Sequence, residues 1–194
     1  MNKIKSVLSN HGVIAFPTET VCGLGVCYDD KIAFEKLNKI KGERNNKPYT
    51  LMLADVNDIS KYATLNDLAK SVIEGFMPGE ITILVKAKDN LPNWVTLSSP
   101  FVGIRVSSHE LTKEVIKKGG KPLLVPSLNR SGQKPFIDIE KAKEYFREEI
   151  DHYIFGVAEG KKPSTIVKID DTIEIVRQGD ISLDEIMEYL GRAK

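Results

Sequence analysis

Apolar and polar positions along this 194-residue chain alternate in short blocks whose spacing predicts an α/β fold. Residues 13–16 form an apolar run between Gly12 and Pro17, the pattern of a short buried strand. Gly23 and Gly25 follow closely and predict a tight loop. Asp29 and Asp30 cap a helix with Ile32, Ala33, Leu37 and Ile40 on one face, closed by Gly42. Residues 49–53 read as a strand, and Thr64 caps a helix through Leu68, Val72 and Ile73 that ends at Gly75 and Pro78. Residues 81–85 and 102–106 are further strands. Ser107 with Glu110 predicts a capping box for a helix running to Gly119. Residues 122–125 lead as a strand into a polar loop, 126–135, and Asp138 caps a helix carrying Ala142, Tyr145 and Phe146. Residues 166–167 and 173–176 look like paired strands, and Ser182 with Glu185 opens a last helix closed by Gly191. Several strands stand too close together for crossover helices, so the sheet should mix parallel and antiparallel pairs. No linker or repeat divides the chain, and residues 1–194 read as a single domain.

Composition narrows the class without naming a chemistry. Charged residues are 28% and the net charge is +1, so any basic binding surface must be local. At this length roughly 70% of the unfolded surface can be buried, and neither a disulfide nor a structural metal is needed. Cys22 and Cys27 lack the spacing of a zinc pair, and His11, His109 and His152 are scattered, so no metal site is expected. No stretch approaches the roughly 20 apolar residues of a membrane span, and the start lacks a signal-peptide pattern. The expectation is a reduced, cytoplasmic protein with no membrane attachment.

Four polar segments interrupt the apolar blocks. Pro17, Thr18, Glu19 and Thr20 place two hydroxyls and a carboxylate at a strand end beside glycines, which suits a small polar ligand or an ordinary capped turn. Lys39, Lys41, Arg44 and Lys47 cluster around Gly42 and Pro48, which suits phosphate or a solvated helix end. Residues 126–132 (PSLNRSG) offer hydroxyls, an amide and backbone donors to one anion, or form a plain polar loop. Residues 163–167 (PSTIV) precede Arg177, Gln178 and Gly179, where the arginine can reach a phosphate or sit on a hairpin surface.

Taken in order, these segments resemble the YrdC-like family of threonylcarbamoyl-AMP synthases. The resemblance rests on residues 16–25 (FPTETVCGLG), Lys41-Gly42 through Lys47-Pro48, Pro78-Gly79-Glu80-Ile81-Thr82, Gly103-Ile104-Arg105-Val106, the 126–132 loop, residues 163–167 and Arg177-Gln178-Gly179. It spans almost the whole chain and matches the family's short type. It implies a twisted mixed sheet around a deep, positively lined cavity. It also implies an ATP-dependent reaction of L-threonine and bicarbonate that yields L-threonylcarbamoyl-AMP and pyrophosphate. Partner proteins would then transfer the group to tRNA, and contact with double-stranded RNA or tRNA is part of the same implication.

By that similarity Thr18, Ser127 and Ser164 would bind threonine or bicarbonate. Lys41, Arg44, Lys47, Thr82, Asn129 and Arg177 would bind ATP, with Lys41 and Arg105 as catalytic cations and Mg²⁺ carried in on ATP. The chain departs from the family pattern at Cys22, where Tyr is common, at Leu128 for Ala, at Glu80 for Pro, and at Glu43 in the basic loop. Two alternatives follow: a nucleotide-binding paralogue with another substrate, and a non-catalytic protein binding double-stranded RNA or tRNA. Aromatic residues are only 7%, and no stacking array interleaved with basic residues supports the second.

Overall fold

The computed structural model describes residues 3–42, 47–160 and 162–192. Its elements, in chain order, are α1 (Lys3–Ser9), β1 (Ile14–Phe16), β2 (Gly23–Cys27), α2 (Lys31–Lys41), β3 (Leu51–Leu53), β4 (Ala63–Thr64), α3 (Asp67–Phe76) and β5 (Ile81–Ala87). There follow α4 (Asn93–Thr96), β6 (Phe101–Val106), α5 (Glu110–Gly119), β7 (Leu123–Leu124), α6 (Ile139–Phe146), β8 (His152–Tyr153), β9 (Thr165–Ile169), β10 (Ile173–Arg177) and α7 (Leu183–Arg192). The strands form one mixed sheet in the order β10-β9-β5-β6-β3-β7-β2-β1-β8, with β4 beside β5. β3 pairs β6, β5 pairs β9 and β1 pairs β8 in parallel; the remaining neighbours are antiparallel.

Both sheet faces are covered, so the short strands read as unbroken apolar runs rather than alternations. Successive residues nevertheless point to opposite sides: Ile14 and Phe16 join a cluster with Leu8 of α1 and Val115 of α5, while Ala15 joins the larger cluster with Leu37, Val72 and Phe146. Met52 likewise leaves the side taken by Leu51 and Leu53.

Helix α2 begins where the sequence predicts, with Asp30 accepting from the Ala33 amide and Gly42 closing it at φ 72°. Ile32, expected on its buried face, is exposed, as is Tyr145 on α6. Helix α3 is capped by Asn66 instead of Thr64, which lies in β4. The segment read as a glycine loop is strand β2, paired antiparallel with β1. A Cβ on Gly25 would stand 2.7 Å from the Phe16 ring, so glycine there makes room for a core aromatic. The capping box expected of Ser107 and Glu110 does not form; His109 is the N-cap and makes no side-chain cap bond. Ser107 has a different partner, described below. The Ser182–Glu185 box does form, and α7 continues through Gly191.

Candidate active site

Strand β1 ends at Phe16, and the five residues after it fold into a turn locked at both backbone and side chain. The Pro17 carbonyl accepts from Thr112 Oγ1 at 2.9 Å, and the Thr18 carbonyl accepts from the Glu159 amide at 3.2 Å. Thr18 Oγ1 donates to the Val21 carbonyl at 2.8 Å and accepts from the Thr20 amide at 3.1 Å. It also lies 3.0 Å from Thr20 Oγ1. Its single proton being on Val21, Thr20 must be the donor in that pair. The Thr18 hydroxyl therefore has its donor and both acceptor positions filled.

Thr20 in turn accepts from Arg105 Nη2 at 2.9 Å. The same Nη2 lies 2.7 Å from Glu19 Oε1, and Nε donates to the Gly79 carbonyl at 3.3 Å. Both side chains are almost wholly buried, at 6% and 2% exposure, so this ion pair is barely screened by solvent. Glu19 also accepts from the Ser107 hydroxyl and, at 3.3 Å, from the Ser108 amide. Ser107 thus donates to the carboxylate from β1's end, and its oxygen accepts from the His109 amide at 3.2 Å instead of from the first turn of α5.

Across the cavity, Arg177 ends β10. Its Nε and Nη2 donate to the Ser164 carbonyl at 3.0 and 2.7 Å, and Nη2 reaches Ser164 Oγ at 3.1 Å. Ser164 Oγ is 2.9 Å from Thr82 Oγ1 on β5. Among the described residues Arg177 has no carboxylate partner. Burial, and then the nearby Arg105 cation, push its pKa below the usual arginine value.

Lys41, the last residue of α2, is 3% exposed and lies behind the wall. Its ammonium donates to the Ser127 carbonyl at 2.6 Å, the Asn129 carbonyl at 2.6 Å and Asn129 Oδ1 at 2.7 Å, which accounts for all three protons. Asn129 is equally committed: Oδ1 also accepts from Ser127 Oγ at 2.6 Å, and Nδ2 donates to the carbonyls of Arg130 and Gln133. The Ser131 amide completes the clamp on the Lys41 carbonyl at 2.8 Å.

These walls enclose a cavity of about 200 Å³. Of the residues expected from sequence, Thr18, Lys47, Arg105, Ser127, Ser164 and Arg177 line it. Lys41, Thr82 and Asn129 stand behind the lining and hold other residues in place, and Arg44 and Glu43 lie outside the described residues. Thr20, one of the two hydroxyls offered at this strand end but not assigned a ligand, also lines the cavity, as does Cys22, to which the sequence pattern assigns no ligand-facing role. Alternation along Pro17-Thr18-Glu19-Thr20 was the signal available for Thr20. The Cys22 thiol is pushed up to about 12, chiefly by burial. Leu128, which stands where the family pattern has Ala, packs fully into the core. Glu80 does not face the cavity; burial and then Asp180 raise its pKa. Among the described residues no three His, Cys, Asp or Glu side chains gather as a metal cluster. Nor is any described helix long and apolar enough to cross a membrane.

The chain belongs to the Sua5/YciO/YrdC family: the family model, described as "Telomere recombination", matches residues 6–179. The threonylcarbamoyl-AMP synthase of Vibrio vulnificus is 31% identical over 183 residues, covering 92% of this chain and 98% of that protein. The crystal structure of P. abyssi Sua5 complexed with L-threonine superposes with a TM-score of 0.91 at 25% identity, over 98% of this chain and 57% of that one. The present chain therefore spans little more than half of that Sua5. E. coli YciO matches with a TM-score of 0.88 at 27% identity, over 95% of this chain and 91% of YciO.

Proposed function

We propose that the chain is a threonylcarbamoyl-AMP synthase, joining L-threonine, bicarbonate and ATP into L-threonylcarbamoyl-AMP with release of pyrophosphate. The observation that carries the reading is Arg177: a guanidinium at the open side of a hydroxyl-lined cavity, opposite Arg105, with no carboxylate partner among the described residues. A cation bonded only to neutral groups and repelled by a second cation favours an anion beside it. Threonine carboxylate, bicarbonate and polyphosphate all supply one.

In this reaction the neutral threonine amine attacks the carbon of bicarbonate; a C–O bond breaks, water leaves with a proton from the nitrogen, and a carbamate forms. A carbamate oxygen then attacks the α-phosphorus of ATP as the bond to pyrophosphate breaks. Placing two anions in line and neutralising their charge is most of the catalytic task. Arg105 and Arg177, with Lys47, supply the cations. Ser127 Oγ donates to Asn129 and so faces a ligand as an acceptor, suited to the threonine ammonium or hydroxyl. Ser164 is suited to the same ligand, while Thr18 shapes the turn that presents Thr20. Lys41 acts by fixing Ser127 through Asn129. ATP would bring Mg²⁺ held by its phosphates and water; the described residues offer no carboxylate cage for it, and no step here runs through the metal.

The same reading places the protein in the cytoplasm, passing its product to partner proteins that modify tRNA, with direct contact to double-stranded RNA or tRNA as an extension of it. A second reading, a nucleotide-binding relative with another substrate, draws on Cys22, which stands in the cavity wall where the family commonly carries tyrosine. The test is pyrophosphate release from ATP by purified protein. Release that requires both L-threonine and bicarbonate supports the synthase; ATP binding without such release supports the second reading.

A further inference from the structure

Glu19 is not among the cavity-lining residues, yet it bonds to the lining Arg105 and to two residues of the turn after β6. Strands β1 and β6 are separated in the sheet by β3, β7 and β2. The sheet curls enough for Glu19, just past β1, to meet Arg105 of β6 at 2.7 Å. Its other oxygen takes the Ser107 hydroxyl, and the Ser108 amide adds a third donor at 3.3 Å. One carboxylate therefore grips both the guanidinium and the turn that follows its strand. Arg105 Nη2 is occupied by Glu19 and Thr20 and Nε by Gly79, leaving Nη1 as the edge without a hydrogen-bond partner among the described residues. Arg105 and Arg177 are also close enough to repel.

From this geometry we infer that Glu19 is a positioning residue for the reaction: it aims Nη1 of Arg105 into the cavity and offsets one of two facing cations before any anionic substrate arrives. The inference rests on the synthase reading for its kinetic arm but not for its spectroscopic one. Ground-state anion binding does not need the carboxylate, since an unaimed cation still attracts phosphate. Alignment in the transition state does need it. Glu19→Gln keeps the shape and removes the charge.

The experiment compares wild type, Glu19→Gln, Ser107→Ala, Arg105→Met and the Glu19→Gln/Arg105→Met double variant, each checked for native circular dichroism at the assay temperature. Glu19→Gln should lower kcat by at least about 30-fold while the KM for ATP changes by less than about threefold. Ser107→Ala, which keeps the carboxylate, should lower kcat by about threefold. In the Arg105→Met background the Glu19 change should alter kcat by less than about twofold. A purely structural role would lower the yield of folded protein and leave kcat and KM of the folded fraction unchanged. Equal kcat losses with and without Arg105 would overturn the inference. Separately, the Arg105 Nε–H signal in ¹⁵N NMR, assigned by its loss in Arg105→Lys, should shift or broaden in Glu19→Gln. An unchanged signal overturns the positioning role whatever the enzyme makes. If wild type releases no pyrophosphate, the synthase reading fails and this signal alone decides for or against Glu19.

Discussion

Lys41 Nζ lies 2.7 Å from Asn129 Oδ1, and that bond sits behind the cavity wall instead of inside the cavity. A lysine aimed at a triphosphate and a lysine bracing a loop behave differently when removed. Lys41→Met removes three charge-assisted bonds and takes from the Asn129 carbonyl its ammonium donor, while Asn129 Oδ1 and the Ser127 carbonyl keep the Ser127 hydroxyl and the Asn129 amide, so it should destabilise the fold by about 2–4 kcal/mol. Thermal unfolding should register this as a fall in Tm of roughly 5–15 °C. A lysine that only met phosphate would weaken ATP binding with little change in Tm.

The two arginines should separate in the same way. Arg105→Met strands Glu19 as an unpaired buried charge and should cost about 3–5 kcal/mol. Arg177→Met removes a largely exposed cation and leaves only the neutral Ser164 groups, so stability should change by less than about 1 kcal/mol. ATP affinity should nevertheless fall about 10- to 100-fold. Urea unfolding and calorimetric titration with ATP, run on both variants, measure each quantity.

Gly179 holds the Arg177 side of the cavity through backbone proximity. An added Cβ would meet the Thr165 nitrogen at 2.4 Å, the Pro163 carbonyl oxygen at 2.7 Å and the Ser164 carbonyl carbon at 2.8 Å. All three are main chain and cannot swing aside. Gly179→Ala should cost about 1–3 kcal/mol and weaken ATP binding, because Ser164 moves with its backbone. A lowered urea midpoint without an altered slope would register the stability loss.

Both cysteines are buried thiols, raised to about 12 at Cys22 and about 11 at Cys27. At pH 8 only about one Cys22 in ten thousand is thiolate, so the native chain should not react with a thiol-specific disulfide reagent. The unfolded chain should titrate two. The folded values lie above the ordinary 9.0, so the unfolded state loses its thiol protons first as pH rises. The thiols' stabilising contribution is whole below about pH 9 and declines from there toward 11 and 12. A Cys22→Ala/Cys27→Ala variant should lose stability less steeply across that interval.

Elements governed by neighbours in sequence were legible in advance. Asp30 and Gly42 bracket α2 as their residue types require, and β9 and β10 pair across a short turn. Features governed by distant neighbours were not. Gly25 signalled a loop because the Phe16 ring beside it becomes a neighbour only once β1 and β2 pair. Ser107 with Glu110 had the spacing of a cap, but Glu19, 88 residues away in sequence, takes the hydroxyl. The cation cluster around Gly42 pointed outward toward phosphate; nothing local indicates that Lys41 turns inward to carbonyls 86 and 88 residues on. The sequence pattern thus located the polar segments of the cavity, while the division between lining residues and bracing residues required the fold.

The central claim is that this cavity joins threonine, bicarbonate and ATP. The most direct measurement is mass spectrometry of the nucleotide formed when purified protein is given ATP, ¹³C-bicarbonate and L-threonine. The account expects threonylcarbamoyl-AMP carrying the label, formed with one pyrophosphate per product and missing when threonine is left out. Bound ATP with no labelled nucleotide would contradict it.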